Sequence, residues 1–122
     1  MWYCAHAVFF YQYEGQDSFV VHENVYLIGA EDEEKAMFKA KSIALEYEQI
    51  GVDSYLECDG KRAEYKFSGI RKLISVQVDS DVADSSAICS GVELTYSVME
   101  VGSILDVERI ARGELVAVNY IE

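Results

Sequence analysis

The stretch from His22 to Tyr47 constrains this chain most, because its apolar spacing switches from strand to helix within a few residues. Phe19, Val21, Val25 and Leu27 alternate with Val20, His22, Asn24 and Tyr26, a period of two that predicts a strand. Glu23 interrupts the more apolar side. Gly29-Ala30 closes the strand, and Glu31, Asp32, Glu33 and Glu34 follow. Asp32 is the expected N-cap, since its carboxylate can accept from the unpaired amides of a first helical turn. Glu33 and Glu34 would then lie at the positive end of the helix dipole. Ala36, Ala40, Ile43, Ala44 and Tyr47 fall on one helical stripe, with Lys35, Lys39, Lys41, Glu46 and Glu48 mainly outside it. Gly51 is the expected stop.

Residues 2–13 predict a partner for that strand. Trp2, Cys4, His6, Val8 and Phe10 point one way, and Tyr3, Ala5, Ala7, Phe9, Tyr11 and Tyr13 the other. Both sides are largely apolar, so both require cover. Glu14-Gly15-Gln16-Asp17 reads as the turn of a hairpin. A turn centred at 15–16 pairs residues whose numbers sum to 31, which puts His6 and His22 on opposite faces.

Beyond the helix, 52–57 predicts a short strand and Asp59-Gly60 a hairpin turn. Ala63, Tyr65 and Phe67 begin a return strand, with a bulge or bend at Gly69 before it runs on through Ile74 and Val78. Residues 79–90 read as an acidic loop, and Leu94 to Val101 as a strand. Ser103 can cap a helix to Arg112, with Asp106 as capping-box partner, Val107, Ile110 and Ala111 facing inward, and Gly113 as stop. Leu115–Ile121 predicts a last strand. The expectation is one α+β domain spanning 1–122: a single mostly antiparallel sheet, order β-β-α-β-β-β-α-β, with two helices packed on one face. On that arrangement the second aromatic side of strand 2–13 needs a folded-over sheet, a second copy or a ligand.

Charge narrows the function. Twenty-two acids against ten bases leave a net charge of −12. Residues 1–34 and 73–108 hold seven acids each and no Lys or Arg; every base lies in 35–41, 61–72 or 109–112. Such a field disfavours nucleic acid and anionic membrane and suits a basic protein partner. No apolar run approaches a membrane span and no signal peptide is evident, so a cytoplasmic, bacterial-type protein is expected. The 51% hydrophobic content argues against disorder. Cys4, Cys58 and Cys89 show no C-x-x-C spacing and read as reduced thiols.

Trp2-Tyr3-Cys4-Ala5, Glu23-Asn24-Val25-Tyr26-Leu27-Ile28-Gly29-Ala30 and Phe67-Ser68-Gly69-Ile70-Arg71-Lys72-Leu73 match the patterns W-Y-x-A, E-N-x-Y-L-I-x-A and F-x-G-I-R-K-L. On these the chain resembles a family of small uncharacterised bacterial proteins classed as a domain of unknown function, over about the first two thirds of its length. His22 stands where that family often has an aromatic residue. The resemblance implies a shared fold and a bacterial or phage setting, and transfers no catalytic residue.

Chemistry-bearing candidates are few. His6, His22 and Cys4 lack a four-ligand zinc spacing, and Asp79, Asp81 and Asp84 lack the glycine and terminal glutamate of a calcium loop; neither metal nor cofactor is expected. His22, Glu23 and Asn24 form a polar triplet inside an apolar strand, a local conflict of the kind that marks functional sites. With Arg71 they are the candidate ligand-binding residues, the structural alternative being a Glu23–Arg71 ion pair that fixes the sheet. No nucleophile elbow or phosphate loop is present. The leading expectation is a non-enzymatic acidic protein that neutralises a basic partner, in its most concrete form an immunity protein against a bacterial toxin. Glu31, Asp32, Glu33, Glu34, Asp79, Asp81 and Asp84 would rim the contact, and Tyr11 and Tyr13 would anchor it. The alternative is a homodimeric small-molecule binder of nucleotide type, in which Arg71, Lys72 or Arg62 meets a phosphate. An enzyme using His22 or Glu23 stands third.

Overall fold

A computed structural model describes residues 1–51, 54, 56–76, 90–91 and 93–121. Among these residues, six strands and two helices follow one another as β1 (Trp2–Gln12), β2 (Phe19–Gly29), α1 (Glu33–Glu46), β3 (Leu56–Cys58), β4 (Lys61–Val76), β5 (Glu93–Val101), α2 (Ile104–Ala111) and β6 (Asn119–Tyr120). The strands form one sheet in the order β3-β4-β1-β2-β5-β6, with every neighbouring pair antiparallel. This is the expected α+β element order.

The β1–β2 hairpin takes the register its turn predicts, with Tyr3 opposite Ile28, Ala7 opposite Asn24 and Phe9 opposite His22. Alternation then sorts the central strands into two faces. One carries Tyr3, Ala5, Ala7, Phe9, Tyr26 and Ile28, which pack against Ala36, Ala40 and Ala44 of α1. The other carries Val8, Phe10, Val21, Met99 and Val101, which pack against Val107, Ile110 and Ala111 of α2, with Val116 and Val118 alongside. The helices therefore lie on opposite faces, not together on one. The correction follows from β1 itself: a strand apolar on both sides is satisfied by one helix per side. Its second aromatic face is covered from within the chain, by α2 and residues 114–118. Those residues were expected in a last strand; Val116 and Val118 turn into the core instead, leaving only Asn119–Tyr120 in the ladder.

The helix ends follow their caps. Asp32 accepts from the Lys35 amide at 2.8 Å, and Ser103 from the Asp106 amide at 3.2 Å. Asp106 turns to Arg109, at 3.1 Å, rather than completing a capping box. Helix α1 stops at Glu46, short of Gly51, whereas α2 ends at a left-handed Gly113 with φ of 78°.

Strand β4 is one continuous strand whose register against β1 shifts twice, between His6 and Ala7 and between Val8 and Phe9. The extra residues are Ser68 and Arg71. A Cβ at Gly69 would stand 3.3 Å from Ala111 Cβ, so glycine here permits the close approach of α2.

If α2 covers the second face, Ile110→Ala should cost about 2–5 kcal/mol in chemical unfolding, the range for a truncated core side chain. A cost below about 0.5 kcal/mol, typical of a surface position, would mean that this face is not closed by α2.

Candidate functional site

His22, Glu23 and Asn24 are adjacent in sequence but divided by the sheet. Glu23 points to the α2 face, where its Oε1 accepts from Arg71 Nη2 at 2.6 Å and Arg71 Nε at 2.9 Å, with His6 Nδ1 at 2.7 Å. The three residues come from β4, β1 and β2, so one carboxylate oxygen ties together the three central strands. The bulge at Arg71 makes this possible, since its extra residue lets Arg71 and Lys72 share a face. Burial alone would raise the Glu23 carboxyl; the bonds from Arg71 and His6 outweigh it and hold the group below its ordinary value. Beside this node a cavity of about 200 Å³ is lined by Glu23, Arg71, Met99, Ile110, Val116 and Tyr120, among others. Glu23 already neutralises Arg71 there, so the arrangement has the character of a structural clamp.

His22 and Asn24 point to the α1 face, into a second network. Asn24 Nδ2 donates to the Tyr26 hydroxyl at 3.2 Å and to the Tyr65 hydroxyl at 3.3 Å. The Tyr65 hydroxyl lies 3.2 Å from His22 Nδ1. Burial lowers the His22 pKa, which favours a neutral ring. With Asn24 donating to the Tyr65 oxygen, the hydroxyl proton is free to reach Nδ1, and the imidazole proton then resides on Nε2. Burial likewise pushes the Tyr65 hydroxyl up, and the Tyr26 hydroxyl to about 12, so both remain protonated donors. Phe9 stacks on Tyr65 at 4.8 Å, and Tyr26 on Tyr47 at 5.4 Å.

The four candidate ligand residues are thus not one site. Glu23 meets Arg71 as an ion pair, the structural alternative, and His22 and Asn24 belong to the opposite face. Of the candidate partner-contact residues, Glu31, Asp32, Glu33 and Glu34 are all exposed. Glu31 holds Lys35 at 2.6 Å and Asp32 is occupied as the cap, which leaves Glu33 and Glu34 without an ion-pair partner among the described residues. Tyr11 and Tyr13 are half-buried: Tyr11 packs on Tyr65 and His22, and Tyr13 donates to Asp59 at 3.1 Å. Asp79, Asp81 and Asp84 lie outside the described residues, as does Cys89. Cys4 and Cys58 are free thiols. Among the described residues no group of three or more His, Cys, Asp or Glu could hold a metal ion.

Residue-by-residue reading of the sequence overlooked Tyr65 and Tyr96. Tyr65 stands directly opposite Tyr11, and Tyr96 opposite Asn24. Both pairings join strands distant in the chain, so no local spacing announces them.

The fold and these two networks define a small α+β domain whose polar chemistry is divided between the faces of one sheet. Residues 2–95 match the family model described as Domain of unknown function (DUF4288), and the chain belongs to that family. No curated protein and no solved structure matches it. Among the described residues no helix is long and apolar enough to cross a membrane.

Glu23→Gln should lower stability by about 2 kcal/mol at neutral pH, since bonds to a charged group carry about 1.5–3 kcal/mol. A carboxyl held below its ordinary value stabilises the fold above its unfolded pKa, near 4.5, and loses that contribution as pH falls through the folded value. The variant's stability should therefore depend less on pH across that acid window. Parallel wild-type and variant curves in pH-resolved urea unfolding would contradict the clamp.

Proposed function

We propose that this protein is a non-enzymatic acidic binding protein that neutralises a basic protein partner, most concretely an immunity protein acting against a toxin in a bacterial cytoplasm. One observation carries the reading. The two faces of the sheet differ in charge: among the described strand residues, Arg62, Lys66, Arg71 and Lys72 belong to the α2 face, whereas Lys61, on the side of Ala63 and Tyr65, belongs to the α1 face. Against Lys61, whose Nζ donates to the Glu14 carbonyl, the α1 face holds Glu93 and Glu100 on β5. With a net charge of −12, and with the exposed Glu31, Asp32, Glu33 and Glu34 set against Lys35, Lys39 and Lys41 of α1, the molecule is predominantly acidic. Such a field accelerates encounter with a cationic surface and rejects anionic ones.

The homodimeric small-molecule reading rested on an uncovered second aromatic face of β1. Helix α2 and residues 114–118 occupy that face, so no specific observation favours the alternative.

Binding measured by interferometry against purified basic toxin domains, with acidic and neutral domains of the same size as controls, tests the reading. Affinity should be confined to basic partners and should weaken steeply as salt rises. Glu33→Lys with Glu34→Lys should slow association by about tenfold. Equal binding to the acidic controls, or affinity indifferent to salt, would rule it out.

A further inference from the structure

Helix α1 is too short to cover its face. Fourteen residues make a helix of about 21 Å, whereas the eleven residues of β1 extend over about 36 Å. The covered part centres on Tyr3, Phe9, Tyr26 and Ile28. Toward the hairpin turn, the face continues beyond the helix as a row of rings. Tyr65 on β4, Tyr11 on β1, His22 on β2 and Tyr96 on β5 each supply one, from four neighbouring strands. Tyr65 and Tyr11 centroids lie 4.9 Å apart, Tyr11 and His22 5.2 Å, and His22 and Tyr96 6.4 Å with planes inclined by only 34°. The row rises from half-buried at Tyr65 to 61% exposed at Tyr96.

Its inner end is fixed. Tyr65 is held by Asn24 and His22, and Tyr11 is wedged edge-on against His22. Rings already locked in place lose little further freedom on binding, which is what makes an aromatic anchor effective. Glu93 and Glu100 flank Tyr96 along the same side of β5, and Glu93 has no ion-pair partner among the described residues.

We propose that this row of rings, flanked by Glu93 and Glu100, is the docking surface for arginine side chains of the basic partner. The inference rests on the reading of a basic partner and names the surface and the chemistry it selects. Arginine fits better than lysine: a planar, weakly hydrated guanidinium stacks on an aromatic face while its N–H groups reach a carboxylate. A second copy of this chain fits poorly, since like acidic faces would meet.

The test is titration of the ¹⁵N-labelled full chain with octa-arginine and, separately, octa-lysine. Octa-arginine should bind more tightly, with the largest shift changes at Tyr11, His22, Tyr96 and Val98. Tyr96→Ala, at an exposed position where folding is not at stake, should weaken octa-arginine by about threefold to fivefold and octa-lysine by less. Changes confined to Glu31–Glu34, with the two peptides equal in affinity, would overturn this surface and leave the basic-partner reading standing. Failure of both peptides to bind at low salt would overturn the two together.

Discussion

Strand β1 sits at the centre of the sheet, hydrogen-bonded to β4 on one side and β2 on the other, and it is apolar above and below. Ala5, Ala7, Val8 and Phe9 are completely buried. A strand of this kind cannot meet water on either side, so everything else must close over it. Helix α1 closes one face, and α2 with residues 114–118 closes the other. Both helices are capped at their starts by a side chain already committed in the local sequence, Asp32 or Ser103, so each begins where its cover is needed.

The same sandwich decides what polar side chains can do. A carboxylate on a central strand must be paired, and Glu23 is paired twice, by Arg71 and His6. The imidazole one residue earlier faces the other way and is hydrogen-bonded to the Tyr65 hydroxyl, to which Asn24 also donates. At the margin of the α1 face the rings of Tyr11, His22 and Tyr96 outrun the helix.

Much of this organisation was legible in the sequence, because it is local. The period-two runs of β1 and β2, the turn between them and the stripe of α1 specify their own partners, and the hairpin register follows from the turn position alone. The Glu23–Arg71 pair was legible as one of two alternatives. The placement of α2 was not: its inward residues announce a buried side without saying which face they bury against. That depends on how β5 joins the sheet and on Gly69 allowing Ala111 to approach, both non-local facts. The contacts of Tyr11 with Tyr65 and of Tyr13 with Asp59 were not legible, because those partners lie about 50 residues downstream.

Helix α1 buries three alanines, Ala36, Ala40 and Ala44, against the sheet, with Ile43 partly buried beside them. Methyl groups let the helix axis come close, and they leave the bulky side chains of that layer rooted in the strands. Ownership of the layer is therefore unequal: the sheet contributes its shape, and the helix contributes a lid of nearly featureless underside. Outward positions such as Phe38 and Leu45, both largely exposed, take no part in that fit. The upper surface of α1 can thus diverge in sequence without disturbing the rings beneath it, which makes the helix the natural place for variation among proteins built on this plan.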